Sequence, residues 1–325
     1  MQKFLFNKKA ETKVWGGREF RRVTIDDYQI FRDFAKLRTK VSYYGSASHF
    51  MHYWNTANYE LFINVDYAQS CELIPVSKKF SKATQFHIVD PIFKDFATIL
   101  DICKSLQLEA VKGVYIRYIY EQELTPYQNE LFEKFGSVEK EFIYDLYEQS
   151  SLPGKKFASY RKKINQFERT NNLNIRFLNS GDIEANEKFL NEWVAGVGPD
   201  YFRPSVGKDK RLIQMFADGD EYDFTIGAFD GDRLVGAVSS SIDPDTGVMC
   251  GIYSKCLRGY GNLSQYLERM SSQEGLKRGA VVENYSSASG SSAGIRTHKM
   301  MRKPCDFWNF YSFKYVGEKD AESLV

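Results

Sequence analysis

The chain has 325 residues, 43% of them apolar, with 25 Phe, 21 Tyr and 4 Trp, enough for about two domains with substantial cores; a disordered or low-complexity chain is excluded. Forty-four Lys and Arg against 42 Asp and Glu leave a net charge of +2, so any contact with RNA or anionic lipid has to come from a local patch. No apolar run approaches the ~20 residues of a transmembrane segment, and the opening Met1–Lys9 turns charged too early for a secretory leader. A cytoplasmic location is expected.

In the first half, Thr24 caps a helix with Asp27 in its first turn and Tyr28, Phe31, Phe34 and Ala35 at helical spacing. A second helical stretch, Ser46 to Trp54, precedes strand-like runs near 59–66, 71–76 and 84–89. Asp90-Pro91 reads as an N-cap and first helical position, opening a helix with Ile92, Phe93, Phe96, Ile99, Leu100 and Cys103 on one face. A strand, Val114 to Tyr120, follows; Thr125-Pro126 opens a helix that stops at Gly136, and Phe142-Ile143-Tyr144 sits in a last strand.

Leu152-Pro153-Gly154 is a turn and marks the boundary between the halves. Beyond it come a basic helix over 155–170, a strand at Asn174–Leu178, and helices near 182–194 and 208–217. Three strands, 222–229, 233–242 and 247–255, are joined by Asp230-Gly231-Asp232 and Asp243-Pro244-Asp245-Thr246-Gly247. Helix 261–276, strand 280–285, helix 292–302 and strand 306–315 complete the order.

Cys71, Cys103, Cys250, Cys256 and Cys305 are odd in number and widely spaced, which reads as reduced thiols. His49 and His52 form one H-x-x-H, but Phe50, Met51, Tyr53 and Trp54 around them favour a packed aromatic helix, and no metal is expected.

Both halves thus read helix pair, three strands, helix, strand, helix, strand. This order resembles the GCN5-related N-acetyltransferase (GNAT) fold. The repeat implies an α/β (α+β) protein of two tandem GNAT-like domains, 1–150 and 151–325, each a mixed, mostly antiparallel sheet flanked by helices. In that fold the fourth strand runs into a Gly-rich turn whose amides cradle the donor's phosphates at a helix N-terminus. Cys256-Leu257-Arg258-Gly259-Tyr260-Gly261 resembles the superfamily's Arg/Gln-x-x-Gly-x-Gly loop, with Cys256 at the leading position. Arg258, Gly259, Tyr260, Gly261 and Asn262 are therefore the candidate donor-phosphate site, although two glycines also suit an ordinary turn. The matching junction of the first half, Val89-Asp90-Pro91, offers a carboxylate and lacks one amide, so that half reads as structural or acceptor-shaping.

Two further segments are similar to the phosphatidylglycerol lysyltransferase C-terminal-like family of tandem GNAT proteins. Gly154-Lys155-Lys156 and Arg161 match its Gly-Lys-Lys…Lys-Arg-Asn…Phe signature, with Tyr160 and Lys162 replacing its lysine and asparagine. Asn284, Gly290, Arg296, Lys299 and Pro304 match its Asn…Asp-Leu-Gly…Gly-Leu-Arg-x-x-Lys…Pro segment, with Ala288 in place of the aspartate. The likeness spans nearly the whole chain, including Ser42 to Trp54.

The resemblance implies an acyltransferase that moves an aminoacyl group from aminoacyl-tRNA to an amine or hydroxyl, the acceptor being a small molecule, peptide or lipid, with no tightly bound cofactor. Residues 154–176 hold seven Lys or Arg and one acid, Glu168. Arg161, Lys162, Lys163, Arg296 and Lys299 are the candidate substrate or tRNA contacts, against the plainer reading of solvated surface charge. Acyl-coenzyme A is the alternative donor, and an inactive tandem GNAT binding module the second alternative. Acyl transfer needs a polarised carbonyl and proton carriers. The GNAT resemblance implies that backbone amides of the fourth strand, near Tyr253 to Lys255, polarise the carbonyl, and Tyr253, Tyr285 and Asn284 are the catalytic candidates, with Glu283 and His298 near the strand ends. Strand alternation places Asn284 on the face opposite Glu283 and Tyr285.

Overall fold

A computed structural model describes residues 11–38, 40–54, 59–66, 71–79, 84–197, 216, 221–288 and 293–317. The chain divides into two compact units, one running to Lys140 and resuming at Trp308, the other covering Glu141–Phe307. The Leu152–Gly154 turn lies within the second unit.

The first unit opens with a hairpin, β1 (Thr12–Trp15) and β2 (Arg18–Arg22), that the sequence reading does not include. Gly16 and Gly17 make its turn with φ of +56° and +72°, the left-handed pair that tight hairpins require. A side chain at Gly16 would also strike the backbone of the helix beneath it, 2.7 Å from the Ile102 amide nitrogen. Thr24 and Asp27 form the expected capping box ahead of α1 (Tyr28–Ala35). Ser46 caps α2 (Ala47–His49), which continues as a π-helical turn through Trp54. The sheet then runs β3 (Tyr59–Asp66), β4 (Glu72–Lys79), β5 (Gln85–Val89), α3 (Phe96–Glu109) and β6 (Gly113–Tyr120). Among the described residues of this unit only β5 and β6 pair in parallel, with α3 as their crossover; β14 (Asp306–Tyr315) lies antiparallel to β6. Trp15, Phe20, Phe62, Phe86 and Ile88 pack on Ile99, Ile102, Cys103 and Leu106 of α3.

Two expectations fail here. The helix after β5 starts at Phe96, capped by Asp95, whose side chain accepts from the Ala97 amide at 3.0 Å. Asp90 is buried in a left-handed conformation instead, and Ile92 exchanges backbone hydrogen bonds with Leu73. The helix expected from Thr125 is a single 3-10 turn, Thr125–Tyr127, because β7 (Phe132–Lys134) pairs with β14. Tertiary pairing overrides the local helix signal.

The second unit begins in β8 (Glu139–Asp145) and continues with α4 (Leu146–Ser151), α5 (Ala158–Thr170), β9 (Asn174–Phe177) and α6 (Ile183–Val197). Then follow β10 (Asp223–Asp230), β11 (Arg233–Asp243), β12 (Val248–Cys256), α7 (Leu263–Lys277), β13 (Val282–Ser287) and α8 (Ala293–Met301). The expected helix at 208–217 lies, apart from Phe216, outside the described residues. The strand order is β9-β10-β11-β12-β13-β8, antiparallel except for the β12–β13 pair that α7 connects. Phe157, the residue before α5, and Tyr160, Ile164 and Phe167 of α5 fall at the i, i+3, i+7 and i+10 positions of one buried face, while Lys162 and Arg169 are exposed.

Candidate active site

β12 and β13 pair only at Val248, Met249 and Cys250, opposite Val282, Glu283 and Asn284, although both strands run further. Beyond that point they splay. A bulge on β12 starts the divergence, since Ser240 faces Gly251 while Ser239 faces Tyr253, which leaves Ile252 over. On β13, Ser286 turns left-handed at φ +58°, its amide held 3.1 Å from the Asn284 side-chain oxygen. The Leu257 amide bonds to the Val235 carbonyl at 2.8 Å, which fixes the antiparallel alternation. Tyr253 and Lys255 then face β11 with their backbone groups, and the amides of Ser254 and Cys256 point into the splay.

Glu268 of α7 lies at this opening with only 3% of its surface exposed. Its carboxylate accepts from the phenols of Tyr160 and Tyr285 at 3.0 Å each and from Ser254 Oγ at 3.4 Å. His298 Nε2 sits 3.0 Å from both carboxylate oxygens. Burial opposes ionisation of Glu268, but His298, Arg302 and the Tyr160 hydroxyl more than offset it and hold the carboxyl at about 2. An ionised carboxylate only accepts, so Nε2 of His298 carries the hydrogen of this contact, on a ring that is partly exposed.

Arg302, just past α8 and 1% exposed, donates to Glu283 and to Gln149, and lies 4.3 Å and 4.8 Å over the rings of Tyr144 and Tyr285. Burial raises the Glu283 carboxyl although Arg302 pulls it down. Burial likewise pushes the Tyr285 phenol well above its ordinary value, so it stays a donor. Gly251 makes the arrangement possible: a Cβ there would collide with the Tyr285 ring and come 2.7 Å from Glu283 Oε1.

The loop into α7 passes through Gly259 at φ +100° and Asn262 at φ +65°, and Asn262 makes no side-chain cap bond. The Ser264 and Gln265 amides therefore have no partner within the helix. Space is open around both Gly259 and Gly261. Arg258 is exposed, and the Tyr260 hydroxyl donates to Asp230 at 2.6 Å.

Residues 75–239, half of the chain, match the family model for the C-terminal region of phosphatidylglycerol lysyltransferase. The chain belongs to that family. No curated protein matches it significantly in sequence. A conserved protein of unknown function from Bacteroides thetaiotaomicron superposes with a TM-score of 0.75 at 14% identity, over 91% of this chain and 99% of that one. L-PGS from Bacillus licheniformis gives 0.60 at 15% identity, over 91% and 93%. A tandem GNAT protein from the clavulanic acid biosynthesis pathway gives 0.52 at 8%, over 95% and 100%. The fold is therefore that of two GNAT-like units, as the element order implies.

Within this lysyltransferase-family fold, the structure gathers only some of the sequence candidates. Tyr285 and His298 meet at Glu268. Tyr253 points to the other face of β12, buried under the Lys255 ammonium 4.4 Å from its ring centre. Asn284 is fully buried and donates to Glu141 at 2.6 Å, a structural bond behind the strand. Arg161 donates to the carbonyls of Leu152 and Gly154, which closes the turn after α4. Lys163 lies against the Met301 sulfur, while Lys162 and Arg296 are exposed. Lys299 is buried, its ammonium bonded to the carbonyls of Tyr285, Ser286 and Ser287, and burial pulls its pKa down to about 7. It pins the end of β13 and does not share an anion with Arg296. Gly290 lies outside the described residues, and among the described residues no group of three or more His, Cys, Asp or Glu has the geometry of a metal site.

Glu268 and Arg302 are absent from the sequence candidates. The available signal was in α7: Ser264, Glu268, Ser271, Ser272 and Gly275 form a small and polar stripe beside Leu263 and Leu267, and most of it is buried. A carboxylate on such a stripe faces the interior.

Proposed function

We propose that this chain is an aminoacyltransferase that moves an aminoacyl group from aminoacyl-tRNA to an amine or hydroxyl acceptor, at the splay between β12 and β13. The observation that carries the reading is the convergence there of the Ser254 and Cys256 amides with the Glu268–His298 pair. The amides face the position of a developing oxyanion. His298 Nδ1 takes the proton of the attacking amine or hydroxyl, with Glu268 holding the ring and stabilising the imidazolium. The new bond forms at the ester carbonyl, the ester C–O bond breaks, and the proton passes to the departing ribose oxygen. Tyr285 positions Glu268. The residues at 258–262 and the first amides of α7 suit the donor's phosphates, with Lys162 and Arg296 as exposed cations for the rest of the RNA. The family likeness favours aminoacyl-tRNA. The open Gly259–Gly261 turn suits the pyrophosphate of acyl-coenzyme A equally, and this is the second reading.

Among the described residues no helix is long and apolar enough to cross a membrane.

Binding of charged tRNA and of acyl-coenzyme A, followed as salt rises, separates the two donors. An RNA donor loses affinity with a slope of about −0.7 in log K per neutralised phosphate of a single strand. The double variant Lys162→Gln/Arg296→Gln should flatten that slope by about 1.4. A slope unchanged in the variant, or tight coenzyme A binding with none of tRNA, overturns the tRNA reading.

A further inference from the structure

The first unit contains a cavity of about 330 Å³ where β5 ends and Asp90 turns the chain away from β6. Its volume falls at the lower end of small-ligand sites. Arg38 and Asp90 line it, with side chains 4% and 8% exposed and Nε 2.8 Å from Oδ2. Nη2 of Arg38 also donates to the Asp90 carbonyl at 2.9 Å. Asp90 is held at φ +44°, and Gly45 is obligatory because a Cβ there would collide with the Asp90 carboxylate. Strain of this kind persists where surrounding contacts over-determine it, and it concentrates at binding sites.

Two donors on the lining have no acceptor among the described residues: Nη1 of Arg38 and the hydroxyl of Tyr127, a residue 2% exposed. Buried donors are nearly always satisfied, so each calls for an oxygen brought in from outside. The Arg38 charge is matched by Asp90, so the floor does not repel an anion. Ile92 and Ile119 supply apolar wall, and the exposed Glu123 carboxylate stands on the lining with no ion-pair partner among the described residues.

We propose that this cavity binds a free amino acid with an apolar side chain. The ligand carboxylate accepts from Arg38 Nη1 and the Tyr127 hydroxyl, the side chain lies on Ile92 and Ile119, and the ammonium group faces Glu123. This assignment is independent of the transferase reading of the second unit.

Titration calorimetry on the full chain with L-leucine, 4-methylpentanoate and 3-methylbutylamine tests it. Leucine should bind saturably, 4-methylpentanoate more weakly, and 3-methylbutylamine not at all. Tyr127→Phe should lower leucine affinity at least about tenfold, the worth of one hydrogen bond to a charged acceptor, and should not lower the melting temperature, because that hydroxyl has no protein partner among the described residues. Glu123→Gln should bring leucine to the level of 4-methylpentanoate. No heat from leucine up to about 10 mM, beyond the weak end of the affinity scale, overturns the proposal. So does unchanged leucine affinity in Tyr127→Phe, or binding of 3-methylbutylamine as tight as that of leucine.

Discussion

Replacing Glu268 with glutamine keeps the side-chain shape and removes its charge. In the native unit the carboxylate accepts from Tyr160, Tyr285 and His298 at 3.0 Å, and Arg302 Nε lies 3.9 Å away. A glutamine amide accepts through one oxygen and turns an NH2 toward other donors. Breaking a buried charge network in this way costs about 3–5 kcal/mol. At about 2–4 °C per kcal/mol for a unit of this size, Tm should fall by about 6–20 °C. The pH dependence gives a second, independent reading. Its charged and hydrogen-bonding neighbours hold the folded Glu268 carboxyl down to about 2 against an ordinary value of 4.5, so its contribution is complete above the unfolded value. That contribution is lost as pH falls from about 5 toward 2, and amounts to about 3 kcal/mol. Urea denaturation of wild type and Glu268→Gln between pH 7 and 3 should show a steeper acid limb in the wild type than in the variant, which keeps only the share of other depressed carboxyls such as Asp182. A variant within about 0.5 kcal/mol of wild type at pH 7, or one with the same acid limb, refutes the central role given to Glu268.

Gly251→Ala should destabilise by about 1–3 kcal/mol and reduce turnover, because the added methyl displaces Tyr285; a fully active, equally stable variant would show that the Tyr285 position is not critical. Lys299→Met should lower the melting temperature by several degrees, since it strips three carbonyls at the end of β13 of their shared donor. Arg296→Ala should leave thermal stability unchanged and weaken only RNA binding, and the pair fails as an argument if the two variants melt alike. Gly261→Trp, in open space, should fold normally and lose donor binding by at least about tenfold; normal donor affinity in a filter-binding or calorimetric assay removes the phosphate role from this loop.

Much of the element order was legible in the amino-acid sequence because it rests on local physics. The capping box at Thr24 and Asp27, the apolar face of α5, the turn glycines before α7 and the final strand at 306–315 all follow from side-chain period and capping chemistry. The early hairpin was missed because four- and five-residue strands carry too little alternation to stand out. The helix expected from Asp90 forms but starts later, at Phe96, and the one expected from Thr125 does not form, because local cap signals lost to partners distant in sequence: Arg38 and Leu73 in one case, β14 in the other.

For the site, the sequence determined which loop precedes α7, that Asn284 and Tyr285 face opposite ways, and that a basic helix follows the turn at 152–154. It also carried the family resemblance. Only the tertiary structure decided that Arg161 and Lys299 bond to backbone carbonyls, that Tyr253 faces away, and that Glu268 collects Tyr160, Ser254, Tyr285 and His298 from four other elements. Periodicity reports which side of an element meets the interior, because that is fixed by the local repeat. Which charged group lies within 3 Å of which partner is set by the crossing of helices and the splay of strands, and those are properties of packing that no local pattern encodes.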